Sequence, residues 1–199
     1  MLIETAIGIP EFEDNGHLPH KCYEVTLNEI KEKLVDNFPD SKTRQSRFEC
    51  FMRFYKELLD NVKSCIRLLI DGSFVTNKEN PRDVDFIIIV DSLKLTKSEK
   101  KYLENILFKK DELKKEFVRY EKFVELGMLH EDSLYNLRFY RMGCDFFQVI
   151  KYDSSHLLYE EYVEERDGWI SFWGHQRDDS EKGFLNLPVD YGGDLNGLY

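Results

Sequence analysis

"DGSFVTNKENPRDVDF", residues 71–86, is the stretch on which the reading of the chain turns. It joins two short apolar runs, "CIRLLI" (65–70) and "FIIIV" (86–90). Runs this short, rich in β-favouring residues and bounded by turn formers, predict strands buried on both faces. Alternate side chains of a strand share a face, so Asp83 and Asp85 point one way and Val84 the other. Two carboxylates a few Å apart repel each other and lose hydration beside a core. A Mg²⁺ beside them removes that penalty, because hard divalent cations take carboxylate oxygens and keep positions open for phosphate. Gly72 permits a sharp turn and close approach of a ligand to the backbone. The amides at and after Ser73, with its hydroxyl, suit a phosphate, and a helical turn opening there adds its dipole. A phosphate cradle followed by a paired-carboxylate strand is a working geometry for metal-assisted phosphoryl or nucleotidyl transfer.

Outward from this stretch, Thr26 and Glu29 have capping-box spacing and predict a helix to about Asn37, broken by Pro39. A second helix is expected over 42–62, where Phe48, Phe51, Met52, Tyr55, Leu58, Leu59 and Val62 keep the helical period. That stripe reads as core, and Arg44 and Arg47 at its start read as a solvated face. Thr96 and Glu99 form another capping box, opening a helix with Tyr102, Leu103, Ile106 and Leu107 on one side. "KKDELKKEFVRYEKF" (109–123) alternates in charge and reads as an exposed helix face; 131–140 fits helix or strand equally. "CDFFQVI" (144–150) predicts a strand, and Leu158, Tyr162, Arg166, Trp169, Ile170 and Trp173 predict a helix over 157–173 that Gly168 weakens. "KGFLNL" (182–187) is a last short strand, followed by a loosely held Gly-rich tail. Residues 1–25 read as irregular, and "GHLPHKC" lacks the second ligand pair that a zinc site built on His17, His20 and Cys22 requires.

Composition narrows the function classes. The 199 residues suit one domain and carry a net charge of −10, so coating of extended DNA, which needs a basic face, is not expected. A nucleotide or a protein partner is compatible with that charge once a divalent metal reverses the local balance. The four cysteines, Cys22, Cys50, Cys65 and Cys144, contain no CxxC pair and read as reduced thiols. The first residues lack the basic start of a signal peptide, and no apolar run reaches membrane-spanning length, so a cytoplasmic location is expected.

"GSF" (72–74), "DVD" (83–85) and "FIII" (86–89), in that order, resemble the signature of the DNA polymerase β-like nucleotidyltransferase superfamily. The longer string "GHLP…NFP…R…DGSFVTNKENPRDVD" is similar to a small bacterial branch of it. The superfamily likeness covers roughly residues 60–150. The resemblance implies an α+β fold with a mixed sheet flanked by helices: an N-terminal loop and helices (1–62), a catalytic core (63–152) and a C-terminal helix and tail (153–199). It further implies that Gly72 and Ser73 hold a nucleoside triphosphate and that Asp83 and Asp85 bind Mg²⁺ or Mn²⁺. A third carboxylate from a later strand completes the metal site and activates the acceptor hydroxyl; Asp145 fits best, with Asp91 and Asp153 as competitors. Lys78 and Lys182 are candidate cations for the nucleotide, and Arg82 another, whereas Asp71 is expected to bond the turn. His130, His156 and His175 are read as surface or satisfied core residues.

The implied activity is transfer of a nucleoside monophosphate to a hydroxyl of a protein, a tRNA end or a small molecule, in a toxin–antitoxin or phage-defence setting. The alternative is a catalytically idle nucleotide-binding or toxin-neutralising module; retention of both DxD carboxylates argues against it. An antibiotic nucleotidyltransferase would call for a larger C-terminal helical region.

Overall fold

A computed structural model describes residues 3–107, 143–176 and 180–189. Their architecture is α+β: a mixed six-stranded sheet with four helices among the described residues. The strands are β1 (Thr5–Ile7), β2 (Cys22–Glu24), β3 (Cys65–Asp71), β4 (Val84–Asp91), β5 (Cys144–Lys151) and β6 (Phe184–Pro188), and the spatial order is β1-β2-β6-β3-β4-β5. β3 runs antiparallel to both β6 and β4, while β4 and β5 are parallel. The helices are α1 (Leu27–Lys31), continued by a π turn over Glu32–Asp36, α2 (Arg44–Asn61), α3 (97–107) and α4 (Tyr159–Trp173).

The predicted elements form where the local chemistry placed them. Thr26 Oγ1 accepts from the Glu29 amide while the Glu29 carboxylate accepts from the Thr26 amide, closing the first capping box. Thr96 and Glu99 repeat the device, and Glu99 also accepts from the amides of Lys63 and Ser64, tying α3 to the turn between α2 and β3. The α2 stripe from Phe48 to Val62 is buried throughout. One expectation fails in this part of the chain. Residues 1–25 hold two three-residue strands, whose backbone pairing needs no periodic side-chain pattern to announce it. The strand expected in "KGFLNL" is present as β6, and it sits inside the sheet between β2 and β3. The stretches 109–123 and 131–140, His130 and the tail from residue 190 lie outside the described residues.

The period-two alternation of β3, β4 and β5 divides the core. Leu68, Ile70, Phe86, Ile88 and Phe146 pack with α1 and α2 on one face. Leu69, Ile87, Ile89, Phe147, Val149 and Phe184 pack under α4 on the other. Asp71, Asp83, Asp85 and Asp145 continue the second set by register, so the sequence places four acids along the α4 face, at one end of three neighbouring strands.

Candidate functional site

Strand pairing brings the acids together. Asp85 is the register partner of Asp71 across the β3–β4 pair and of Asp145 across the β4–β5 pair. Adjacent strands lie about 4.8 Å apart, so three carboxylates stand in a row, with Asp83 two residues before Asp85 on the same face. Asp145 thus stands on the strand next to Asp85. Asp91 pairs with Lys151 at the opposite end of β4, and Asp153 lies beyond that end of β5, where it accepts from Ser155. Neither neighbours Asp85.

At the end of β3 the chain turns through Gly72–Val75, a single 3₁₀ turn. Gly72 has φ +78°, and a Cβ there would collide with the Asp85 carboxylate. Only glycine meets both demands. Four residues of 3₁₀ geometry contribute little dipole, so what Ser73 offers is its hydroxyl and the local amides, less than a true helix start would bring.

The loop after the turn is clamped. Arg44, expected on a solvated face, is fully buried: its Nη1 donates to the carbonyls of Leu34 and Phe74, and its Nη2 to those of Thr76 and Lys78, at 2.6–2.9 Å. The guanidinium also lies 3.7 Å from the centre of the Phe38 ring. Arg47 is buried too. Burial of both arginines overturns the solvated-face reading; helical period cannot foretell that the carbonyls of Leu34, Phe74, Thr76 and Lys78 need a donor fork. Asn80 accepts from the Lys42 amide, and the Asn77 amide donates to Gly16. "VTNKENPR" is therefore a pinned connection between the two halves of the site.

Lys182 comes from the segment between α4 and β6, and its ammonium donates to both Asp71 oxygens at 2.6–2.7 Å in a buried pair. Asp71 thus bonds a lysine, with the Gly72 backbone as a lesser partner. Burial pushes the Asp71 carboxyl up to about 6 although Lys182 pulls it down. Asp85 is pushed up to about 7, first by burial and then by the charges of Asp83, Asp145 and Asp71. The pull of Lys182 on Asp85 is weaker than the push of its acidic neighbours.

The acids open onto a cleft of ≈ 1420 Å³. Gly72, Ser73, Lys78 and Arg82 line the same cleft; Lys78 and Arg82 are exposed at its rim. The facing wall is the C-terminal end of α4 with the residues just beyond it, including Phe172, Trp173, His175 and Gln176, joined by His17. Nothing in the sequence reading anticipates this wall. His175, expected to stand isolated, donates from Nδ1 to the Ser171 carbonyl at 2.7 Å and neighbours the His20 ring. The signal available was Phe172, an aromatic lying off the helical stripe. His17 accepts from the Gln176 side chain and His20 pairs with Glu181, which ties this N-terminal loop to residues beyond α4.

Among the described residues no group of three or more His, Cys, Asp or Glu side chains is arranged as a ready metal cage. The donor chemistry of the acid row nevertheless fits a hard divalent cation: aligned carboxylates, crowded negative charge and a glycine that leaves the approach open. Among the described residues no helix is long and apolar enough to cross a membrane.

Together these features define an α+β protein with an acid row at the end of a mixed sheet, facing a glycine-serine turn. The chain belongs to a family of unknown function, DUF6932, which matches residues 10–188. Comparison with curated proteins and with solved structures gives no match.

Proposed function

We propose that the chain is a divalent-metal-dependent nucleotidyltransferase that moves a nucleoside monophosphate from a triphosphate to an acceptor hydroxyl. The observation that carries this reading is the register of Asp71, Asp85 and Asp145 across three strands, with Gly72 and Ser73 at their end. A Mg²⁺ or Mn²⁺ held by Asp83, Asp85 and Asp145 would neutralise phosphate charge and polarise the α-phosphorus. Ser73 and the amides of its turn position the phosphates. Asp145 orients the acceptor hydroxyl and takes its proton as the oxygen–phosphorus bond forms and pyrophosphate departs. Lys182 holds Asp71 in place and sets a fixed positive charge beside the phosphates. Lys78 and Arg82, at the rim, add cationic charge where the triphosphate enters. The cleft exceeds the roughly 300–1,000 Å³ that one small ligand fills, leaving room for donor and acceptor together.

The reading is tested by incubating the protein with each α-³²P nucleoside triphosphate and Mg²⁺, alone, with tRNA and with cell lysate, beside Asp83→Ala and Asp85→Ala. Label transfer by the wild type that both substitutions abolish supports it. Transfer that survives both removes the assigned mechanism. A second reading, a nucleotide-binding or toxin-neutralising module without transfer, draws on Lys182, which already occupies part of the acid row. Nucleotide binding with no transfer to any acceptor would favour it.

A further inference from the structure

The cleft has two unlike walls. One carries the acids and the glycine-serine turn; the other carries Phe172, an aromatic side chain that the core does not bury. Phe147 follows Asp145 by one strand repeat and so lies on the same face of β5. Its ring packs 4.6 Å from Trp169 of α4, and Trp169 in turn contacts Phe172 edge-on at 6.1 Å and Trp173 at 6.0 Å. Trp173 is buried, whereas Phe172 remains 71% exposed. Phe172 lines the cleft, and its ring stands nearly perpendicular to that of Trp169. Beside it stand two hydrogen-bonding groups with fixed orientation. Gln176 donates from Nε2 to His17 Nδ1 at 3.3 Å, and its backbone N–H donates to the Ser180 carbonyl. The His175 Nδ1–H is committed to the Ser171 carbonyl, so in the neutral ring Nε2 is the acceptor.

We infer that this wall is the nucleobase subsite: the donor's base stacks on Phe172, with Gln176 and His175 at its polar edge, while its phosphates reach the Gly72–Ser73 turn. The inference rests on the nucleotidyltransferase reading and adds which part of the substrate the α4 end recognises. An exposed aromatic flanked by an amide and an imidazole suits a planar heterocycle with a polar rim, since stacking supplies affinity and the rim supplies orientation. Continuity of this wall with the acid row, through Phe147 and Asp145 on one strand face, favours the donor's base over a separate ligand.

The test is calorimetric titration of wild type, Phe172→Leu and Phe172→Trp with Mg²⁺-ATP, Mg²⁺-GTP and Mg²⁺-tripolyphosphate. Phe172 is exposed, so these substitutions leave the core intact, which a urea midpoint checks. Leucine keeps apolar bulk without a π face. Phe172→Leu is expected to weaken at least one nucleotide by about five- to tenfold and to leave tripolyphosphate unchanged, with tryptophan restoring the loss. Nucleotide affinity unmoved by leucine, or nucleotide and tripolyphosphate weakened equally, overturns the subsite and leaves the nucleotidyltransferase reading standing. Failure of wild type to bind either nucleotide or tripolyphosphate overturns both readings.

Discussion

Two clusters of charge lie on either side of the Gly72–Val75 turn, and they are balanced differently. On one side the Arg44 guanidinium meets four backbone carbonyls and an aromatic face. Its pKa is lowered by burial to about 10, so it remains charged at neutral pH. On the other side Asp71, Asp83, Asp85 and Asp145 crowd together, with Lys182 bonded to the first of them. A cation whose donors are nearly all used fixes a loop. An acid row in which like charges raise a member's pKa is an unfinished interaction, and such sites cost stability that only a ligand returns. The contrast separates scaffold from site: Arg44 is fully buried, whereas Asp83, Asp85 and Asp145 are half-buried and face the cleft.

The largest expected effect comes from neutralising the unbalanced side. Asp85→Asn should lower transfer roughly 10³-fold, the scale on which a positioned charge-stabilising group acts. In EDTA the same substitution should raise stability. A carboxyl pushed up to about 7 binds its proton more tightly folded than unfolded. Its favourable contribution is therefore present at low pH and lost as pH rises through 7. Thermal melts of the metal-free wild type should fall between pH 5 and pH 8, and Asp85→Asn should show a shallower fall and the higher melting temperature at pH 8. An equal slope in the two proteins would break the contrast between the clusters.

Next comes the balanced side. Arg44→Met strips four carbonyls of their donors and should cost about 3–5 kcal/mol in a urea titration, the scale for breaking a buried charged network. Arg44→Lys should recover only part, because an ammonium cannot reproduce the planar fork. A loss below about 1 kcal/mol, the net worth of a single ordinary hydrogen bond, would mean that the loop holds itself without the guanidinium.

The sequence carries the acid row further than it carries the surroundings. Asp83 and Asp85 are legible because a carboxylate pair before "FIIIV" violates the pattern of a buried strand, and Asp145 because it opens the next such strand. Capping chemistry locates α1 and α3, and period locates α2 and α4. What escapes depends on contacts distant in sequence. Arg44 reaches the carbonyls of residues 74–78 only after α2 packs beside the turn. Lys182 is a candidate by residue type, yet its pairing with Asp71 across 111 positions is created by the fold. The α4 wall escapes for the same reason, since helical period says which side is buried and not which end meets a cleft.

Two glycines carry the contrast to its smaller terms. Gly72 sits at φ +78° with the Asp85 carboxylate where a Cβ would go. Gly72→Ala should cost about 1–2 kcal/mol for the left-handed backbone alone. Because the methyl group must displace Asp85, transfer should fall by more than that stability loss accounts for. Gly168 lies inside α4, with nothing within 4 Å of a Cβ built there. Gly168→Ala removes backbone entropy from the unfolded chain without touching the cleft, and should stabilise by about 0.5–1 kcal/mol. Urea midpoints measure both, and label transfer is measured beside them. If Gly168→Ala stabilises with transfer unchanged while Gly72→Ala lowers both, the glycine at the acid row serves the site and the one in the helix only weakens it. If Gly168→Ala lowers transfer as well, the α4 wall has to move during turnover, and the site extends further along that helix than its static contacts indicate.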